Sequence, residues 1–290
     1  MVIRPAGVNE GIVFVRGDLP GNNRIKADVH NVRDTTLATT LGLNGVTVST
    51  VEHLMSAFSG MGVDNAVVEV DAPEVPIMDG SARPFVNLLK DVGTRVQSKG
   101  KKLLVIKEKI AVSEGGGTAM LLPSPEFRIT YKIAFNHPAI GVQSYQMKFS
   151  DISYEEEICE ARTFGFLRDV EYLQAKGLAL GGSLKNAVVL DEHRIINKDG
   201  LRFPDEFVKH KILDAIGDLS LLGIPIIGHF VACKSGHRLN NLLLKELLMR
   251  KECWTLVSRF SKEGMLNELH SLRVPSFQIL DSVPASSPVM

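Results

Sequence analysis

P-D-E-F-V-K-H-K-I-L-D-A-I-G-D-L-S-L-L-G, residues 204–223, is the stretch from which the rest of the chain can be read. Pro204-Asp205 opens a helix, and Gly223 with Pro225 closes it. Phe207, Val208, Ile212, Leu213, Ile216 and Leu219 make one apolar side. His210, Asp214 and Asp218 are spaced i, i+4, i+8 and so share a single stripe opposite it. Two aspartates in mid-helix cost helical propensity, and without a cation on that face they repel each other. Taken alone, the stripe fits a solvated polar face better than a site. It also fits one imidazole and one carboxylate turned toward a shared metal, as H-x-x-x-H does in zinc hydrolases.

A second V-x-H lies far upstream. Val51-Glu52-His53 begins a run in which Val51, Leu54, Met55 and Phe58 are spaced i, i+3, i+4, i+7, ended by Gly60 and Gly62. Val208-Lys209-His210 is its counterpart in the long helix. A β-branched strand follows each helix, Ala66 to Val70 after the first and Ile226 to Cys233 after the second. The pattern hints at a duplicated α+β unit, although a three-letter match also arises by chance. Further strands are expected at 11–16, 47–51, 103–106, 110–112, 119–122 and 127–135. Further helices are expected after an N-cap at Ser81, and over 239–249 and 254–266. Gln97 to Lys102 (Q-S-K-G-K-K) reads as a linker.

Composition narrows the function classes. Lys plus Arg and Asp plus Glu both total 33, so no global field draws nucleic acid or an anionic membrane. The three cysteines form no C-x-x-C pair, which argues against a disulfide framework or a cysteine zinc site and favours a reducing cytosol. No run approaches the ~20 apolar residues of a membrane span. A length of 290 residues fits two modest domains.

A catalytic zinc needs a third protein ligand and a carboxylate able to take a proton from water. Glu52-His53 offers both, although an isolated E-H pair is more often a structural histidine beside a surface glutamate. Lys234-Ser235-Gly236-His237 offers two donors beside small residues, or simply a surface turn. Ala161-Arg162-Thr163-Phe164-Gly165-Phe166 places a hydroxyl between a cation and an aromatic ring. Other candidates fail: Gly115-Gly116-Gly117-Thr118 lacks the phosphate-loop ending and reads as a hairpin turn, and Gly181-Gly182-Ser183 is not a dinucleotide fingerprint. His137 reads as a turn residue, and His30, His193, His229 and His270 as ordinary.

Together these stretches resemble the UDP-3-O-acyl-N-acetylglucosamine deacetylase family of lipid A biosynthesis. The resemblance runs from about Arg4 to Asn241. It is carried by S-T-V-E-H-L (49–54), D-A-P-E-V-P-I-M-D-G-S-A (71–82), F-N-H-P-A-I (135–140), A-R-T-F-G-F (161–166), G-L-A-L-G-G-S (177–183), residues 200–219, and K-S-G-H-x-L-N-N (234–241), in the family's order and spacing.

The resemblance implies an α+β fold of two related domains, each a β-sheet packed on paired helices, with the active site between them. The expected bounds are 1–98 for the first domain, 101–275 for the second with an acyl-chain-binding β-α-β insert at about 164–195, and a flexible tail at 276–290. Family members usually carry an extra strand pair before the position of Met1, so the first strands are expected to be missing. The resemblance implies one catalytic Zn2+, with Fe2+ an alternative, held by His53, His210 and Asp214. Glu52 would be the general base and His237 the general acid or oxyanion-stabilising charge, oriented by Asp218. Thr163 and Lys211 would contact the reacting amide and the substrate, and Lys234 the diphosphate. Phe164, Phe166, Leu167, Val170, Leu178, Ala179, Gly182, Ser183 and Val189 would lie along the substrate and its acyl chain. The implied reaction is hydrolysis of an acylated UDP-sugar's N-acetyl group, releasing acetate, by a monomeric cytoplasmic enzyme of a Gram-negative-type bacterium. Two other readings are weighed beside it. A zinc-stabilised nucleotide-sugar binding protein would need neither Glu52 nor His237, and a zinc amidase acting on another N-acetyl sugar would not need the apolar insert.

Overall fold

The computed structural model describes residues 1–168 and 181–258. Strands alternate in burial, as a sheet with one face on a core requires. In β11 (Arg128–Ala134), for example, Ile129, Tyr131 and Ile133 point inward. Two sheets share one plan. The first joins β1 (Val2–Pro5), β2 (Ile12–Arg16), β3 (Arg24–Lys26) and β7 (Ala66–Val70) in the order β1-β7-β2-β3. Its inner strand β7 runs antiparallel to β1 and parallel to β2. Helix α1 (Glu52–Gly60) precedes β7, and α2 (Arg83–Val92) follows it.

The second sheet joins β9 (Ile110–Glu114), β10 (Gly117–Leu122), β11, β12 (Val142–Lys148) and β16 (His229–Cys233) in the order β12-β11-β16-β10-β9. Its central strand, β16, runs antiparallel to β10 and parallel to β11. The long helix α3 (Glu206–Ser220) precedes it and α4 (His237–Met249) follows. The V-x-H repeat therefore marks equivalent helices of two related α+β units.

Smaller sheets complete the framework: β4 (Val32–Asp34) with β5 (Thr40–Leu43) and β6 (Val46–Val48), β8 (Lys102–Ile106) between β15 (Ile226–Ile227) and β17 (Trp254–Ser258), and the parallel pair β13 (Phe164–Phe166) and β14 (Val188–Leu190). Among the described residues, no helix is long and apolar enough to cross a membrane.

Four expectations are corrected. Residues 254–258 form a strand, not a helix; β17 continues the edge of β8 in an antiparallel ladder and buries Val257 against Leu103 and Val105. Residues 259–266 of that expected helix lie outside the described residues. The expected strand at 226–233 breaks at Gly228, where the chain passes from β8's sheet to the second large sheet. A Cβ there would come within 2.7 Å of the Ile106 side chain and 3.1 Å of the Leu122 carbonyl oxygen. Ser81 is not the N-cap of α2: the cap is Ala82, and the Ser81 hydroxyl accepts from Arg83 N–H at 3.2 Å.

The fourth correction concerns α3. Its apolar side enters the core as expected, but His210, Asp214 and Asp218 are only 2–3% exposed. The stripe is covered because α1 packs directly on α3. The helices approach closely at Gly217, where an added Cβ would fall on the Glu52 carbonyl oxygen. That oxygen is backbone and cannot swing aside. Gly217→Ala is therefore expected to destabilise the protein by about 1–3 kcal/mol or more, as overpacking does. Chemical denaturation measures this; a change within experimental error would show that the helices are not in close contact here.

Candidate active site

α1 presents Glu52 and His53 in its first turn, and the chain enters that turn under strain. Thr50 has φ 57°, uncommon for a β-branched residue, and its hydroxyl donates to Glu74 Oε1 at 2.6 Å. The 3.6-residue period of α3 then turns His210, Asp214 and Asp218 toward α1. α4 begins at His237, two residues before the sequence pattern indicates, so His237 joins the same cluster from a third helix.

His53, His210 and Asp214 place one donor atom each within 4.8 Å of one another. His53 Nε2 lies 3.5 Å and His210 Nε2 3.2 Å from Asp214 Oδ1. The His210 tautomer follows from its other nitrogen, Nδ1, 3.1 Å from the Ala161 carbonyl oxygen. A carbonyl only accepts, so Nδ1 carries the proton and Nε2 offers a lone pair. Burial holds this imidazole neutral by lowering its pKa to about 3. A lone pair thus faces a carboxylate oxygen that is buried and has no hydrogen-bond partner. Such an arrangement is unfavourable unless a cation sits among the donors. The donor set, two imidazoles and one carboxylate, is one that zinc and iron both accept. Burial pushes the Asp214 carboxyl upward, but the charge of neighbouring Lys211 works against it, and the carboxyl is held well below the usual range. Lys211 Nζ donates to Asp214 Oδ2 at 2.6 Å, which leaves Oδ1 for the cluster.

Glu52 and His237 flank this cluster. Glu52 Oε2 accepts from Thr39 N–H at 3.0 Å, while Oε1 faces His237 Nε2 at 3.8 Å. Burial raises the Glu52 pKa against the opposing pull of His237 and His53, so its carboxylate is a stronger proton acceptor than an exposed one. His237 Nδ1 bonds Asp218 Oδ2 at 2.9 Å, and Asn240 Nδ2 donates to the same oxygen at 2.8 Å. Burial lowers the His237 pKa, but Asp218, Glu52 and Asp214 together raise it further, to about 9.

The segment 161–164 runs along this cluster. Arg162 forms a buried fork with Glu206, Nε to Oε1 at 2.7 Å and Nη2 to Oε2 at 3.0 Å, which holds the Ala161 carbonyl against α3. Thr163 N–H donates to Gly80 O at 2.8 Å, so the 71–82 loop of the first unit ties down the backbone between Ala161 and Phe164. The Phe164 ring lies 6.2 Å from His210 and 5.7 Å from Phe135, and Phe166 continues the aromatic row 6.1 Å from Phe135. Leu167, Gly182, Ser183 and Lys234 are exposed, and Val189 is buried in β14. Val170, Leu178 and Ala179 lie outside the described residues. His137, read as a turn residue, is buried, with Nε2 2.8 Å from Asp191 O. The sequence reading missed Thr39 and the Arg162–Glu206 fork. Asn240, three residues after His237 on one helix, was within reach of a periodicity argument; Thr39 carried no signal.

The profile of the family described as UDP-3-O-acyl N-acetylglycosamine deacetylase matches residues 1–249. A UDP-3-O-acyl-N-acetylglucosamine deacetylase from Syntrophus aciditrophicus is 61% identical over 290 residues, covering 98% of this chain and 92% of that protein. The protein of that name from Myxococcus xanthus is 54% identical over 267 residues, with 91% and 85% covered. One from Haemophilus influenzae is 53% identical over 266 residues, with 91% and 87% covered.

The charge on His237 gives a stability test in metal-stripped protein. Its folded pKa, about 9, exceeds the unfolded value near 6.5. The proton therefore stabilises the fold fully below pH 6.5, and that contribution is lost as pH rises through 9. Urea titrations of stripped protein across this window are expected to show falling stability, and His237→Gln to remove that slope. An unchanged slope in the variant would assign it elsewhere.

Proposed function

The chain belongs to the UDP-3-O-acyl N-acetylglycosamine deacetylase family and is a deacetylase, and from that premise we propose its reaction in detail. It removes the N-acetyl group of UDP-3-O-(3-hydroxyacyl)-N-acetylglucosamine, releasing acetate, in lipid A biosynthesis. It depends on one zinc ion held by His53, His210 and Asp214, with Fe2+ an alternative on the same donors. The observation that carries the reading is the buried convergence of three donor atoms from α1 and α3 with Glu52 and His237 beside them. Among the described residues that cluster has three side-chain ligands and no fourth, the number that leaves room for a reactant.

Zinc, when bound, supplies Lewis acidity, bringing the pKa of water from about 16 toward about 7 and polarising a carbonyl. Glu52 takes the proton of the attacking water through its free oxygen, Oε1. His237, oriented by Asp218, stabilises the anion growing on the amide oxygen and protonates the leaving amine. Thr163 adds a hydroxyl donor for that oxygen. Lys211 secures Asp214 on one side and meets the substrate on the other, while Lys234 meets the diphosphate. Phe164, Phe166, Leu167, Val170, Ala179, Gly182 and Ser183 belong to the passage for the sugar and acyl chain, in an insert at about 164–195. The first domain takes 1–98 and the second begins at 101; its expected end at 275 and the tail expected at 276–290 lie outside the described residues, and the enzyme works as a cytoplasmic monomer.

Acetate release from the acylated UDP-sugar, followed by mass spectrometry, tests the reaction. Chelation is expected to abolish it and zinc to restore it; release indifferent to chelation would defeat the metal's role. Glu52→Gln should keep its metal and lose about 10²–10⁴ in rate, the usual contribution of a positioned base. Full activity in a metal-replete Glu52→Gln preparation would reassign the base. His53→Ala and Asp214→Ala should instead lose the metal itself, measured by elemental analysis.

A further inference from the structure

Thr39 lies between β4 and β5 in the first unit and is 2% exposed. It makes two polar contacts in the site. Its backbone N–H donates to Glu52 Oε2 at 3.0 Å, and its hydroxyl donates to Asp218 Oδ1 at 2.6 Å. Asp218 uses its other oxygen for His237 Nδ1 and Asn240 Nδ2. One residue therefore touches the carboxyl of Glu52 and the carboxylate that orients His237, which come from different units of the fold.

The geometry has a chemical consequence. Holding Oε2 leaves Glu52 Oε1 as the oxygen that faces His237 Nε2, 3.8 Å away. Holding Asp218 Oδ1 prevents that carboxylate from rotating and carrying His237 with it. The two donors of Thr39 are separated by the short, fixed path N–Cα–Cβ–Oγ1, and a β-branched side chain is stiff about χ1. The span between the Glu52 and Asp218 oxygens is thus set by a single rigid residue. We infer that Thr39 is a positioning residue, which fixes the gap between Glu52 and His237 across which the reacting amide is protonated. This rests on the proposed roles of Glu52 and His237 as proton carriers. A bond made only to hold the two units together would serve equally well elsewhere on their interface; this one ends on the partner of the catalytic imidazole.

Thr39→Val keeps the shape and the N–H to Glu52 but removes the hydroxyl from Asp218. It is expected to lower kcat for acetate release about 10- to 100-fold, the scale of a small misplacement of reacting groups, with KM changed less than about threefold. Metal content and the thermal midpoint are recorded for each variant. Thr39→Ser, which restores the hydroxyl, should recover kcat to within about fivefold of wild type. In an Asp218→Asn background Thr39→Val should cost little more, because the two act as one unit. Should Thr39→Val fail to fold, Thr39→Ala carries the same expectation. A folded, metal-replete Thr39→Val or Thr39→Ala with undiminished kcat would overturn the inference, as would a loss confined to KM or one that Thr39→Ser does not relieve. Wild-type enzyme in the same assay separates the two ideas. No acetate from wild type defeats the proposed reaction, whereas an active wild type with a fully active Thr39 variant defeats only the role of Thr39.

Discussion

The contact of α1 with the polar stripe of α3 is the constraint on which the rest depends. It takes two carboxylates and an imidazole out of water, at several kcal/mol for each ion left unpaired. The protein answers each group differently. Lys211 occupies one oxygen of Asp214, and His237, Asn240 and Thr39 surround Asp218. The remaining oxygen of Asp214 is left without a donor, facing two imidazole nitrogens. A fold built only for stability would have filled that stripe with apolar side chains. The orphaned oxygen is the mark of a place prepared for a cation.

The two related units make this arrangement possible. Each contributes a helix whose early turns carry V-x-H, and stacking the equivalent helices brings His53 and His210 to 5.1 Å between ring centroids. Further cross-links then hold the units in register. Arg83 of α2 reaches Glu155 and Glu160, Arg202 reaches Asp79, and the Gly80 carbonyl receives the Thr163 N–H. Gly80 is at φ 85°, and a side chain there would fall on the backbone of Asn186. Only glycine lets the loop come so close, and the same loop holds the segment whose Ala161 carbonyl sets the His210 tautomer.

Local periodicity explains why much of this was legible. The apolar side of α3, the run from Val51 to Phe58 and the alternation in β11 each follow from spacing within one element, and the repeated V-x-H paired the correct helices. Spacing failed where another part of the chain decided the outcome. Trp254–Ser258 becomes a strand because β8 offers it an edge. Ile226 to Cys233 breaks at Gly228 because two sheets meet there.

Read one-dimensionally, the chain already specified which residues share a helix face and which recurring motifs belong together, since those relations need only covalent spacing and helical geometry. It also contained every chemical group of the site. It did not specify that the face of α3 bearing His210, Asp214 and Asp218 is dry, and its composition favoured the opposite. That property belongs to the approach of a second helix more than 140 residues away, made possible by the missing side chain of Gly217. The partnership of Thr39 with Asp218, 179 residues apart, is likewise a product of folding. Burial and long-range hydrogen bonds are properties of a surface meeting its complement, and no local pattern encodes them.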